Sequence, residues 1–402
     1  MATTSPKKGF KRTVFHVLAK PINKILRHIY NYRLRHAEVV DKRLVFQSKP
    51  DYGDNAKAFS EYLAASHPEY KICWILEDAF LEIDGVQGRV TFFHRKNKYD
   101  LLNYDAYRMM VTAKYVFATH GFAIPLARKR SGQQYFYLGH GCGYKGKSYR
   151  DGHRFFDKGL VVGDLFVERL ADYWGCTASD LLSIGFPRFD WMLYPTEEAR
   201  RLMDTVRKDR KKAIIWMPTF RNSITKISYE ENAITAFPLM KDQNDWQQLD
   251  TACREHGVVL IVKLHMSQRS YDIEFSHLTN IVQMGNTDFK KAGIEMYEFL
   301  ALTDALVSDY SSVAIDFLLT DKPLAFALDD YELYKDHRGF TFDNPLDYMP
   351  GHHLYKLEDM IGFVKDVANG NDKYAGDRHR VRETALKESE HYCEDLAVAL
   401  GL

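Results

Sequence analysis

The stretch from Ala213 to Leu264 reads as a strand (Ala213–Met217, AIIWM), a helix (Trp246–His256) and a second, strongly apolar strand (Val258–Leu264, VVLIVKL). Apolar runs of that length suit strands buried on both faces, and strand–helix–strand order builds a parallel sheet. The series continues through Asn280–Gln283, a helix at Glu295–Leu302, the strand Ala305–Ser308 and a helix at Ser312–Thr320. Leu324–Ala327 is its last clear strand, and from Leu357 the tail is helical and polar. The same alternation runs earlier, with strands at Arg43–Ser48, Lys71–Leu76, Arg89–His94, Tyr115–Thr119 and Gln134–Leu138 and helical spacing at Ala56–Ala65 and Ala106–Thr112. A charged helix, Glu197–Lys212, separates the two series, so the boundary falls near residues 194–210. Two α/β units follow, with a cleft where the C-terminal ends of their strands face each other.

Composition agrees with this. A chain of 402 residues that is 46% hydrophobic can build two cores and is not disordered. Its 55 basic and 54 acidic residues exclude a dedicated nucleic-acid binder. The charge is uneven, however. Residues 1–36 hold nine basic residues and no acid, leaving 46 basic against 54 acidic, a net −8, for the rest. The five cysteines (Cys73, Cys142, Cys176, Cys253 and Cys393) include no CxxC pair, so neither a disulfide framework nor a zinc site is expected. Reduced thiols in the cytosol are the simplest reading. No apolar run approaches the ~20 residues of a membrane span.

At 100° per residue, Phe10, Val14, Phe15, Val17, Leu18, Ile22, Ile25, Leu26 and Ile29 fall on one side of a helix. Arg12, His16, Lys20, Asn23, Lys24, Arg27 and Asn31 fall on the other. Such a basic amphipathic helix can lie in an anionic membrane surface, with Phe10, Val14 and Leu18 among acyl chains and Lys20, Lys24 and Arg27 on headgroups. Its other use is docking on the protein's own core. Pro21 is a place for a kink.

The chemistry-bearing pieces lie at strand ends. Leu138–Lys147 (LGHGCGYKGK) is a glycine-rich loop with His140 at its mouth, a natural general base near neutral pH. Lys145 and Lys147 suit an anionic substrate. The pair His120-Gly121 follows the preceding strand, so the pair alone is not diagnostic. His265 closes the most hydrophobic strand of the second half. Ser311 and Ser312 lead into an apolar helix, where free N–H groups and hydroxyls bind phosphate well. Asp309 beside such a site needs a ribose, a hydroxyl or a neighbouring cation as partner. Arg221 and Arg338 can clamp a pyrophosphate.

Taken in order, these pieces resemble the CDP-glycerol glycerophosphotransferases of teichoic acid synthesis, the poly(glycerol phosphate) primase and polymerase group. The resemblance runs over about residues 40–390. It rests on the loop around His140, Gly185–Asp190 (GFPRFD), Met217–Arg221 (MPTFR), Lys263–His265 (KLH), Tyr297–Leu300 (YEFL), Ser308–Ser312 (SDYSS) with Asp316-Phe317, Asp321–Pro323, Asp329–Tyr331, Arg338–Phe340 and Pro350-Gly351. The chain departs from the family in Gly139-His140-Gly141-Cys142, where Trp-His-Gly-Thr is usual, and in Met266, where Pro is usual. Length and the basic helix resemble the short, primase-like members.

The resemblance implies a GT-B-like fold, two Rossmann-like domains facing across a cleft. Residues 1–36 are the membrane-binding helix, 37–195 the acceptor-binding domain and 196–402 the donor-binding domain with C-terminal helices. It implies transfer of glycerol phosphate from CDP-glycerol to a hydroxyl of an undecaprenyl-diphosphate-linked saccharide, releasing CMP, at the cytoplasmic face of the membrane. The paired histidines map onto His140 and His265, and the phosphate-binding serines onto Ser311 and Ser312. His140 is then the general base. His265 stabilises the pyrophosphate or protonates one of its oxygens, helped by Arg221 and Arg338. Asp309, Glu298 and Asp329 bond the ribose or alditol, and Lys145 and Lys147 the acceptor. No metal site and no cofactor beyond the substrate are expected, nor any nucleic-acid partner, and a homo-oligomer is compatible. Three rivals stay open: a CDP-ribitol donor, a GT-B glycosyltransferase using a nucleotide-sugar, and a membrane-bound scaffold with a degenerate transferase fold.

Overall fold

The computed structural model describes residues 6–83, 89–122, 129–146, 156–219, 237–263 and 274–402, and within the first helix the side chains from residue 18 on. The first half contains α1 (Pro6–Arg33), β1 (Val40–Gln47), α2 (Asp54–Ser66), β2 (Lys71–Leu76), β3 (Val90–His94), α3 (Tyr104–Thr112), β4 (Ala113–Ala118), β5 (Gln134–Tyr137), β6 (Lys158–Val161), α4 (Val167–Trp174), β7 (Leu181–Ser183) and α5 (Phe189–Leu193). After α6 (Glu197–Arg207) come β8 (Lys212–Trp216), α7 (Gln243–His256), β9 (Val258–Lys263), β10 (Ile281–Met284), α8 (Asn286–Ala292), α9 (Met296–Leu302), β11 (Ala305–Ser308), α10 (Val313–Phe317) and β12 (Leu324–Ala327). The chain ends with α11 (Tyr331–Arg338), β13 (His352–Leu354), α12 (Leu357–Asn369), α13 (Ala375–Ala385) and α14 (Tyr392–Leu400).

Two parallel sheets result, ordered β3-β2-β1-β4-β5-β6-β7 and β10-β9-β8-β11-β12-β13. In each, the order reverses beside the first strand, between β1 and β4 and between β8 and β11. Crevices for ligands open at such switch points, outside the strands' C-terminal ends. The strands carry apolar side chains on both faces because helices cover both. In the second sheet, one face packs Ile214, Trp216, Leu260 and Val262 against Trp246 of α7 and Met360 and Phe363 of α12. In the first, Val45, Cys73 and Val116 meet α3 and Tyr30 and Leu34 of α1. The remaining faces share one continuous core that runs through both halves.

Three strands escaped the pattern reading. β6 (KGLV), β7 (LLS) and β13 (HHL) are three or four residues long and carry too few alternations to stand out. The expected helix at Ser312–Thr320 is one five-residue α-helix followed by a 3-10 turn, Leu318–Thr320. The helix expected to reach Lys212 stops at Arg207, because Lys212 begins β8.

α1 presents one buried and one exposed face. Ala19, Asn23, Tyr30 and Leu34 are buried against the first sheet's helical layer, and Leu26 packs there rather than with the other aliphatics. Asn23 donates to the Asp100 carbonyl at 2.8 Å and accepts from the Leu102 amide at 2.8 Å, while the Tyr30 hydroxyl donates to the Leu102 carbonyl. Leu18, Ile22, Ile25, Ile29 and Tyr32 form a second, exposed stripe. Phe10 and Val14 lie outside the described side chains. Among the described residues, no helix is long and apolar enough to cross a membrane.

The last helix returns to the first half. α14 packs on α2 and α5, and its Tyr392 and Cys393 amides donate to the Asp190 carboxylate at 2.7 and 3.0 Å.

Candidate active site

β5 ends at Tyr137, and the following loop leaves the first half to lie on the second. Gly139 turns it with a φ of +64°, a conformation that glycine adopts without strain. A Cβ at Gly141 would sit 2.1 Å from Ser312 Oγ, and one at Gly146 would sit 2.2 Å from the Phe340 carbonyl oxygen. The Gly146 amide donates to the Gly339 carbonyl at 3.2 Å, and the Thr341 amide to the Tyr144 carbonyl at 2.9 Å. Tyr144 is fully buried in the second half, its hydroxyl on the Tyr348 carbonyl. Glycines at these positions are what allow the two backbones to touch.

His140 therefore stands one residue from the contact with Ser312. Its Nδ1 lies 3.1 Å from the Thr119 carbonyl and 3.4 Å from the Tyr137 hydroxyl. A carbonyl can only accept, so Nδ1 carries the proton and Nε2 is left as the basic nitrogen. By accessible surface His140 is an exposed residue, although many protein atoms lie around its ring. The desolvation they impose pushes its pKa below the usual 6.5, outweighing the Thr119 carbonyl and Asp54, which pull it up; Arg188 and Lys145 add to the lowering. His120 also belongs here. Its ring stacks on His140 with centroids 4.2 Å apart and planes 11° from parallel. The similar strand ends of β4 and β5 are neighbours because those strands pair in register.

The structure gathers several of the expected residues and disperses others. Lys145 shares the loop with His140. Lys145 is exposed by accessible surface, yet the protein around its amine lowers the pKa from 10.5, with Asp309 opposing and Arg338 assisting, so both lie within electrostatic reach of Lys145. Asp309 is fully buried, and its Oδ2 accepts from the Thr219 amide at 2.7 Å and hydroxyl at 2.8 Å. It thus has the hydroxyl and cation neighbours that a carboxylate needs beside a phosphate site. Ser311 and Ser312 are partly exposed at the start of α10. Asp329 is exposed, and its Oδ2 accepts from the Leu239 amide at 3.0 Å. Glu298 is buried elsewhere: its oxygens accept from the Thr196 and Glu295 amides at 2.9 and 2.7 Å, on the link between the halves. That geometry gives Glu298 a structural task. His265, Arg221 and Lys147 lie outside the described residues.

One group of site residues was missed. Asn55, fully buried at the start of α2, donates to the Leu138 and Gly139 carbonyls at 3.0 and 3.1 Å. Arg188, also buried, donates through Nη1 to the His140 carbonyl at 3.1 Å and Asp54 Oδ1 at 2.5 Å, and through Nη2 to Asp316 Oδ2 at 2.6 Å. Tyr297 donates to the same Asp316 oxygen at 2.6 Å. Arg188, Asp316 and Tyr297 fall in motifs quoted above, but nothing local pairs them, and Asn55 carries no sequence signal.

Two Rossmann-like units meeting through their strand-end loops define the GT-B class of fold. A model of the family CDP-Glycerol:Poly(glycerophosphate) glycerophosphotransferase matches residues 29–390, and the chain belongs to that family. It is 31% identical over 198 residues to a teichoic acid glycerol-phosphate primase of Bacillus subtilis, a match covering 48% of this chain and 45% of that protein. It is 26% identical over 243 residues to a teichoic acid ribitol-phosphate polymerase of Staphylococcus aureus, covering 59% and 40%. The chain thus spans about half, or less, of the length of these curated relatives. Its fold is that of the wall teichoic acid polymerase TagF, with a TM-score of 0.75 at 18% identity over 99% of this chain and 98% of that one.

Proposed function

We propose that the protein transfers glycerol phosphate from CDP-glycerol to a hydroxyl of a lipid-linked acceptor, at the cytoplasmic face of a membrane. The observation that carries this reading is the contact of the His140 loop with Ser312. It supports the reading because the loop that carries His140 in one half touches Ser312 of the other. In the reaction, the acceptor oxygen forms a bond to the phosphorus bearing the alditol. The bond from that phosphorus to the CMP oxygen breaks, and CMP leaves in line. His140 Nε2 takes the acceptor proton. Ser311, Ser312, Lys145 and Arg338 meet the charge that grows on the phosphate oxygens. Arg221 and His265 join them in this reading, with Asp309 and Asp329 as the partners of donor hydroxyls.

Membrane association is part of the proposal. The stripe Leu18–Tyr32 is exposed on a helix whose exposed Lys20, Lys24 and Arg27 have no acid within residues 1–36. An anionic lipid surface satisfies both features.

The test is CMP release by the purified protein with CDP-glycerol or CDP-ribitol, each with and without a lipid-linked disaccharide and its singly primed form. Release that requires CDP-glycerol and an acceptor, and that His140→Ala abolishes, is the expected result. Release with CDP-ribitol alone would move the assignment to the ribitol branch, which the 26% match keeps in view. No release with any pairing, from folded protein on anionic vesicles, would turn it to a nucleotide-sugar donor or a scaffold.

A further inference from the structure

A base and a phosphate site carried by different halves of a chain need something that fixes their separation. Arg188 has that position. Its guanidinium packs on the rings of Phe186 and Tyr297, at 4.8 and 4.6 Å from their centroids. It spans Asp54 in the first half and Asp316 in the second. The Asp316 amide in turn donates to the Ser312 carbonyl at 3.2 Å. A closed circuit results, from the His140 carbonyl through Arg188 and Asp316 to Ser312, and from Ser312 back across its contact with Gly141. Asn55 completes the clamp by holding the two preceding carbonyls of the loop and accepting from the Arg188 amide at 3.3 Å.

Stability is a poor reason for such a group. Burying a guanidinium with two carboxylates costs desolvation that their attraction roughly offsets, and apolar replacements of like volume are often as stable. Here the Asp316 carboxyl is itself raised by burial, despite the cation beside it. What apolar packing does not supply is a planar fork with fixed hydrogen-bond directions, two of which reach opposite halves.

We propose that Arg188, held by Asp54 and Asp316, is a positioning residue that sets His140 against the donor-phosphate serines. The proposal rests on the reading of His140 as the base. An error of about 1 Å in such a placement can cost a hundredfold in rate.

The test uses the full chain, with CMP release as readout and a denaturation midpoint as the check on folding. Arg188→Lys keeps the charge but cannot reach both sides at once. Asp316→Asn is isosteric, removes the charge that holds Arg188 and Tyr297 on one oxygen, and decides the matter should the lysine variant fail to fold. Both should lower kcat about tenfold to a hundredfold, leave the KM for CDP-glycerol within about twofold, and remain folded. Unchanged kcat in a folded variant overturns the proposal. So does a loss shared equally by kcat and donor affinity, or one that merely tracks the fraction folded. His140→Gln, assayed alongside, separates the two readings. If it keeps turnover, the base assignment falls and this proposal with it. If it is inactive while the Arg188 and Asp316 variants are normal, only the positioning role falls.

Discussion

Neutral imidazole is the form of His140 that takes a proton, and its surroundings favour that form. With the pKa below 6.5, the ring stays neutral to lower pH than a histidine at the ordinary value does. The acid limb of kcat/KM should therefore have its midpoint below pH 6.5, and a midpoint above 7 would contradict the assignment. Stability follows the same sign. Between the lowered value and 6.5 the unfolded chain binds more protons at this residue than the folded one. Its share of stability thus falls as pH drops through that window, and His140→Ala should flatten the dependence. The second prediction at this scale concerns Gly141. An alanine there drives its methyl into Ser312, so either the loop or the start of α10 must move. Gly141→Ala should cost about 1–3 kcal/mol of stability and most of the turnover, measured by urea denaturation and CMP release. The motif around His140 was plain in the sequence. Its clamp was not, because Asn55, Arg188 and Asp316 lie 85, 48 and 176 positions from it.

Among the elements, α1 is the one whose amphipathic character was legible and whose division of faces was not. Helical periodicity shows that apolar residues share a side. It does not show that Leu26 turns inward with Tyr30 while Ile25 and Ile29 stay out, since that depends on where α3 and the Asp100–Leu102 turn lie. Two replacements separate the faces. Ile22→Glu with Ile25→Glu alters only exposed positions. It should weaken co-sedimentation with anionic vesicles at least about tenfold, without lowering the denaturation midpoint or turnover on a water-soluble acceptor. Asn23→Ala, by contrast, strips partners from a buried amide and carbonyl and should cost about 1–3 kcal/mol. Long strands such as β2 and β9 were legible from composition alone. The short β6, β7 and β13 owe their existence to neighbours already in place, which supply the backbone partners.

At the scale of the whole molecule, two sheets do not make two independent folding units. One core runs through both halves, the Lys57–Glu295 and Arg188–Asp316 pairs join α2 and the first half's last loop to α9 and α10, and α14 returns to α2. Denaturation should show one transition, with fluorescence and circular dichroism coincident; two well-separated transitions would refute the coupling. Removing residues 387–402 leaves the Asp190 carboxylate without the Tyr392 and Cys393 amides and exposes the surface that α14 covers. That truncation should destabilise the first half, although the deleted segment follows the second in sequence.

The sequence by itself determined the repeated strand–helix alternation, the two parallel sheets, the amphipathic basic helix and the chemistry-bearing strand ends around His140 and Ser311. Each is written in periods of a few residues or in adjacent residues, and the backbone's own geometry reads such patterns locally. Only the tertiary structure decided that His120 stacks on His140, that Glu298 accepts from the Thr196 amide on the link, and that Arg188 ties the His140 loop to Asp316 of α10. Those contacts depend on the order of strands in each sheet and on how two sheets are packed. Buried charges and amides then pair with whatever that packing brings within hydrogen-bond reach.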